Sequence, residues 1–249
     1  MIQKHRIIRD TFLYSSASYI AIIVGFFVSV FSKRWLGVSG AGYWAILTVV
    51  LTYGMYVGMG IKRGFLREFS QSIGANEIEK TKVMKDATFS YLIIASLAGA
   101  VVIWLLSFFL FTDPLLKTGV KIIAFLVIVT HLYNLILTIL RATKQISILS
   151  KVVILNTLFI AVFALPGAYF FSVNGFAAGT LLATTLSFYF AKRWGNISLS
   201  FNLDWIQIQS LIKIGFAMIL AGLLFRTFLS IDKIMIGKCS VSSNWVFIQ

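Results

Sequence analysis

Seven apolar stretches, each long enough to cross a bilayer, fill most of this 249-residue chain, and nearly all of its charge falls in the short gaps between them. They run from Thr11 to Phe31, Tyr43 to Ile61, Thr88 to Phe111, Gly119 to Leu140, Val152 to Phe171, Gly175 to Ala191 and Ile214 to Ile231. A hydrocarbon core about 30 Å thick takes about 20 helical residues. Backbone polar groups inside lipid must be paired internally, which leaves only helices or a closed barrel. The runs are continuous rather than alternating and about twice too long for barrel strands. The expected fold is therefore all-α, a polytopic transmembrane bundle of about seven spans. Composition agrees, since 12% charged residues is about half of what a soluble surface needs.

The formal net charge of +14, from 22 basic and 8 acidic residues, raises the question of nucleic acid. The distribution of the basic residues answers it. Lys4, Arg6, Arg9, Lys62, Arg63, Arg67, Lys80, Lys82, Lys85, Arg141, Lys144, Lys151, Lys192, Arg193 and Lys213 collect on one side of the spans; Lys33, Arg34, Lys117, Lys121, Arg226, Lys233 and Lys238 lie on the other side or at span ends. This asymmetry is the positive-inside pattern and puts the N-terminus in the cytoplasm. Membrane lipids with anionic headgroups are the expected partners of the excess charge, and nucleic acid is not needed.

Few residues suggest chemistry. The single cysteine, Cys239, excludes an internal disulfide and a multi-cysteine metal site. No nucleotide-binding loop, Ser-His-Asp set or HExxH helix occurs, so neither an enzyme nor a cofactor or metal is expected. His131 falls within the fourth span, where it serves either as a proton relay or, more ordinarily, in a hydrogen bond to a neighbouring helix. The first apolar run lacks a small-residue cleavage site and is read as a span, not a signal peptide.

The connections divide the chain into a first six-helix bundle over 1–191, a connecting amphipathic segment over 192–213, a seventh helix over 214–238 and a tail over 239–249. The loop over 62–87 reads as a cytoplasmic helical hairpin, with Ser72 to Asn76 as its turn and Asn76 capping a second short helix. Ser172, Val173 and Asn174 form a tight turn that makes spans five and six antiparallel neighbours. In the connecting segment Trp205, Ile208 and Ile212 share a stripe suited either to a helix along the membrane surface or to an early start of span seven. Small hydroxyls in spans one and six suit close packing, and Pro166 predicts a kink in span five.

Charges at or inside span ends require a partner or water. Arg34, Arg63, Arg67, Arg226 and Lys233 are the candidate substrate-binding residues, a basic cavity whose guanidinium forks match phosphate oxygens. Snorkelling to the interface is the bland alternative, favoured for Arg34, Arg63 and Lys233. Arg226 is the strongest single candidate, because Asp232 at i+6 is poorly placed to neutralise it along one helix.

Two strings carry a family resemblance. Residues Arg34 to Ser70 pair a basic residue with Leu-Gly, a short turn, Gly-Tyr, an apolar span, Gly-Ile and an arginine, carried by Arg34, Leu36, Gly37, Gly42, Tyr43, Gly60, Ile61 and Arg67. Leu229 to Lys238 resembles the signature closing the seventh helix, through Asp232, Lys233 and Gly237. Together they resemble the polysaccharide exporters of the multidrug/oligosaccharidyl-lipid/polysaccharide superfamily, and among them the Wzx-type flippases. The resemblance implies translocation of a polyprenyl-pyrophosphate-linked oligosaccharide in the bacterial inner membrane, for O-antigen, lipopolysaccharide or capsule biosynthesis, in concert with other polysaccharide assembly proteins. It also implies alternating access between two six-helix bundles, with basic cavity residues on the pyrophosphate. Such exporters have about twelve to fourteen spans, so this chain reads as a truncated or frameshifted product, or as a fragment of a longer gene, with an aberrant tail after helix seven. The competing readings are a membrane-embedded repeat-unit polymerase, opposed by the short external loops, a drug or cation antiporter, opposed by the lack of acidic residues inside spans one to six, and a passive assembly subunit without transport activity, supported by the truncated length.

Overall fold

The computed structural model describes residues 2–216; Arg226, Asp232, Lys233 and Gly237, most of the seventh span and the tail lie outside the described residues. The elements are α1 (Ile2–Gly54), a 3-10 turn (Met55–Gly58), α2 (Ile61–Gly74), α3 (Ile78–Leu110), α4 (Pro114–Ala142), α5 (Ile146–Phe159), a π turn (Ile160–Ala164), α6 (Leu165–Trp194) and α7 over 205–216. No strand occurs among the described residues. The fold is an all-α bundle.

Two helical runs are too long for one crossing. They cover 47 residues, Phe12–Gly58, and 49 residues, Ile146–Trp194, each about 70 Å at 1.5 Å per residue, more than twice a bilayer core. Both fold back. In α1 the reversal is at Gly37, whose φ of 67° suits a residue without Cβ. The outgoing arm starts near Tyr14, whose hydroxyl accepts from Arg141 at 3.4 Å, and ends at Trp35, edge-on to Tyr169. The returning arm passes Trp44 against Phe176, Leu47 at Gly119 and Gly54 at Val127. The second reversal is at Phe171 and Ser172, the latter with φ 54°. Across it Gly167 meets Gly175, Gly179 meets Phe163 and Ala164, and the Asn156 amide donates to Ser187 Oγ at 3.0 Å. With α3 and α4 the described residues make six crossings.

Glycine makes the second hairpin close. A Cβ on Gly167 or Gly175 would run into the carbonyl of the other, so the two arms touch backbone to backbone, as small residues allow in lipid. Just before this contact Pro166 has no N–H to return to the preceding turn. The structure answers with the π turn over Ile160–Ala164, a widening rather than a break.

The turn between α2 and α3 differs from the sequence expectation. α3 runs unbroken from Ile78, so no separate short helix precedes the third span. Asn76 is not the cap: it takes a left-handed φ of 59° within the turn, and the helix starts after Glu77 with no side-chain cap. Nor does α2 stand away from the bundle, since Ile61, Phe65 and Phe69 enter the core that Leu92, Leu135 and Ile136 share.

α7 packs on this same α2. Its inward face is Ile208, Leu211 and Gly215, with Ile212 partly buried against the same core, while Trp205 is 59% exposed, so of the Trp205, Ile208 and Ile212 stripe expected from the pattern only Trp205 stays outside. Close approach sets the register: a Cβ on Gly64 would strike the Leu211 carbonyl, and one on Gly215 the Gly60 carbonyl. The segment leading to α7 is strapped to α3. Buried Asp86 accepts from Ser200 N at 3.1 Å, Ser90 Oγ accepts from Asn202 N at 2.8 Å, and Lys85 donates to Ser198 Oγ at 3.3 Å.

The two ends of the bundle are chemically distinct. Lys80, Lys82, Lys85, Arg141, Lys144, Lys192 and Arg193 stand with the α2–α3 turn at the basic end. At the opposite end, with both reversals, Asp113 caps α4 by accepting from Leu115 N at 2.8 Å, with Pro114 in the first turn. There Lys121 lies over the rings of Phe108 and Trp104, at 4.7 and 5.6 Å, and Lys117 over Phe108 at 5.2 Å. The rings stabilise these cations where water is scarce.

Candidate functional site

The second arm of α1 stops being an α-helix at Gly54. It tightens into the 3-10 turn, passes Met59 at φ 43° and Gly60 at φ 78°, and turns into α2. A helix interrupted inside a membrane bundle exposes backbone that must find partners, which is tolerated where it lines a cavity. Such a cavity lies here, about 390 Å³, lined among others by Thr52, Tyr56, Lys62, Arg63, Thr130 and Asn134. Among the described residues that line it none is acidic and two are cationic.

His131 of α4 is fully buried beside it. Its Nε2 lies 3.3 Å from the Gly54 carbonyl oxygen and its Nδ1 lies 3.2 Å from Lys62 Nζ. A carbonyl only accepts and an ammonium only donates, so the pair of contacts fixes the neutral ring with its proton on Nε2. Nδ1 then presents its lone pair to Lys62. Gly58 makes room for this arrangement, because a Cβ there would sit 3.0 Å from His131 Cε1 and 3.2 Å from Leu92 Cδ2. The site thus offers two cations and several neutral hydrogen-bonding groups to an anion, and one ring that holds Lys62 in place.

A family model described as "Polysaccharide biosynthesis protein" matches residues 68–244, well over half of the chain. The chain belongs to that family. The fold of this polysaccharide biosynthesis protein is similar to that of a MOP superfamily transporter from Pyrococcus furiosus, described as having a binding pocket of reversed polarity, with a TM-score of 0.63 and 15% identity. The likeness covers 83% of this chain and 50% of that one, so the chain spans half the length of the transporter. None of the curated proteins matches it in sequence. With its long apolar helices, this is a multi-pass membrane protein.

The motif glycines of this family member have conformational work. Gly37 and Gly60 are the two glycines at positive φ among the described residues, one reversing the chain and the other turning the broken helix into α2. Tyr43 donates to Asp113 at 2.6 Å. Asp232 and Gly237 lie outside the described residues.

The five basic candidates do not gather into one place. Arg63 lines the cavity. Arg67 stands one turn further along α2, exposed and away from the lining, and Arg34 is exposed beside the Gly37 reversal, at the other end of the bundle. Arg226 and Lys233 lie outside the described residues. Lys62, Tyr56 and Asn134 are site residues that the sequence reading passed over, and His131 entered it without its partner. The only sequence signal was the lone histidine within a span; nothing local points to a lysine 69 positions earlier. A second cavity, about 400 Å³, lies at the basic end against Tyr189, Lys192, Arg193 and Asn196.

Proposed function

We propose that the protein is a translocase of the bacterial inner membrane that flips a polyprenyl-pyrophosphate-linked oligosaccharide during O-antigen, lipopolysaccharide or capsule assembly. The observation that carries this reading is a basic cavity at a broken helix, lined by Lys62 and Arg63 with no carboxylate among its described lining residues, in a member of the polysaccharide biosynthesis family. A carrier of a pyrophosphate needs fixed cations within reach of a hydrated space, and guanidinium and ammonium groups supply charge-assisted hydrogen bonds to phosphate oxygens. A cation antiporter needs the opposite polarity at its site. Lys62 and Arg63 are the residues of this bundle we assign to the pyrophosphate, while Arg67 stands one turn further along α2, outside the cavity lining. Membrane lipids and other polysaccharide assembly proteins are its remaining partners under this reading, which describes a carrier rather than an enzyme.

The test is complementation of a strain that cannot export its surface polysaccharide, with export read by surface labelling and protein level by immunoblot. The wild type restores export. One charge-assisted contact is worth about 1.5–3 kcal/mol, so Arg63→Ala lowers export by about ten- to a hundredfold at equal protein level, and Arg34→Ala does not. Equal export by Arg63→Ala and wild type sinks the cavity assignment.

A further inference from the structure

Lys62 lines the cavity but points its ammonium at His131, so in this conformation its charge is held in reserve. The ring nitrogen that receives it, Nδ1, has a single in-plane lone pair, and the other nitrogen is committed to the Gly54 carbonyl. A proton on Nδ1 and the Lys62 hydrogen bond therefore exclude each other. The converse also follows: a ligand that draws Lys62 into the cavity leaves the Nδ1 lone pair open.

The groups beside the ring define what can follow. Its own partners are Lys62 of α2 and the Gly54 carbonyl, with Gly58 of the 3-10 turn and Leu92 of α3 closing round it; the cavity that Lys62 also lines adds Arg63 from α2, Tyr56 from the 3-10 turn, and Thr130 and Asn134 from α4. No carboxylate is among the described residues that line the cavity. Bringing a proton to the ring while the Lys62 ammonium stays would set two cations 3.2 Å apart, a repulsion that a counter-charge relieves. An anion in the cavity supplies that counter-charge and removes Lys62 from the ring at the same time.

We propose that Lys62 and His131 form a proton-linked anion site, in which a phosphate-bearing ligand takes the Lys62 ammonium and the His131 Nδ1 takes up one proton from solution. The step makes one N–H bond on His131 and breaks the Lys62 hydrogen bond to it; no electrons are transferred. The site rests on the proposed translocation of a pyrophosphate-linked substrate and adds to it the ion that moves with the ligand. Linkage makes the effect reciprocal: lowering the pH tightens anion binding, by at most about tenfold per pH unit for one proton. The Gly54 carbonyl ties the same ring to the end of α1's second arm, so the event acts on the joint between that arm and α2.

Calorimetric titration of the purified protein in nanodiscs with inorganic pyrophosphate near pH 7, in two buffers of different ionisation enthalpy, counts the protons taken up. The wild type takes up more protons per bound anion than His131→Gln, whose neutral amide keeps a donor for Gly54 and an acceptor for Lys62. The anion's own titration is common to both proteins and cancels in that difference; His131→Asn replaces the first variant if it does not fold. Lys62→Gln weakens binding by about tenfold or more. A short prenyl diphosphate embedded in the nanodisc is titrated in parallel, and a larger uptake with it assigns the lipid-borne group, whereas equal uptake assigns the bare diphosphate. Binding with equal proton uptake in wild type and both histidine variants overturns the linkage and leaves the translocase reading standing. Absence of binding by either diphosphate overturns both.

Discussion

Tyr43 and Asp113 are 70 positions apart, yet a hydrogen bond of 2.6 Å joins them at the end of the bundle opposite the basic one. The Tyr43 hydroxyl, and after it the backbone N–H groups of Leu115 and Leu116, hold the Asp113 carboxyl below its ordinary range against a desolvation that acts the other way. A carboxyl lowered on folding stabilises above its unfolded value of about 4, and that contribution is lost as pH falls through the lower folded value. Asp113 is partly exposed, so screening keeps the term to about 1 kcal/mol or less. Tyr43→Phe is expected to lower the thermal midpoint in detergent by a few degrees at pH 7 and to leave it unchanged near pH 2; an equal loss at both values would assign the effect to packing instead. At this scale the sequence was only partly legible. Gly37, Gly60 and Tyr43 stood out because glycine and aromatic positions repeat a motif, whereas the pairing of Lys62 with His131 depends on a tertiary contact between α2 and α4. Arg34, matched by the same motif, lies at the wrong end for a shared basic cavity with Arg63.

The helices themselves were the most legible elements, because a bilayer leaves apolar runs little choice of structure. Their ends were not. The third span expected from Thr88 begins as a helix at Ile78, since the polar first turns of α3 are held by the bundle and the Asp86 strap rather than by hydropathy. The packing stripe of α7 was legible in Ile208 and Ile212 but not at Trp205 or Leu211: hydrophobicity selects Trp205, but contact selects the residues that face Gly64 and Gly60. That contact makes a sharp prediction. Gly64→Ala must push Leu211 away and is expected to cost about 1–3 kcal/mol, as overpacking does. Gly25→Ala is the control, in a stretch of α1 where a Cβ meets nothing within 4 Å, and removing a mid-helix glycine there is worth up to about 1 kcal/mol in favour of the helix. Thermal midpoints of the two purified variants should move in opposite directions. A Gly64→Ala midpoint equal to wild type would mean that α7 does not sit on α2.

For the molecule as a whole, charge and geometry make separate statements that meet in one orientation. The helical contacts put the α2–α3 turn, Arg141 and Lys192 at one end, and the Gly37 reversal, Asp113 and the Ser172 reversal at the other. The positive-inside rule predicts that the first end faces the cytoplasm, because Lys and Arg near short loops resist translocation. Lys117 and Lys121 do not contradict it, since both lie over aromatic rings within the bundle's far end. The single cysteine makes a direct check simple. In a Cys239→Ser background, Asn76→Cys places a thiol at the exposed α2–α3 turn and Thr112→Cys one at the exposed α3–α4 turn. A membrane-impermeant maleimide should label the Thr112 variant in intact cells and the Asn76 variant only after the membrane is opened. The reverse pattern would invert the molecule and place the Lys62–Arg63 cavity toward the outer face. The basic residues would then receive a substrate arriving from outside, and export would no longer follow from the site's geometry.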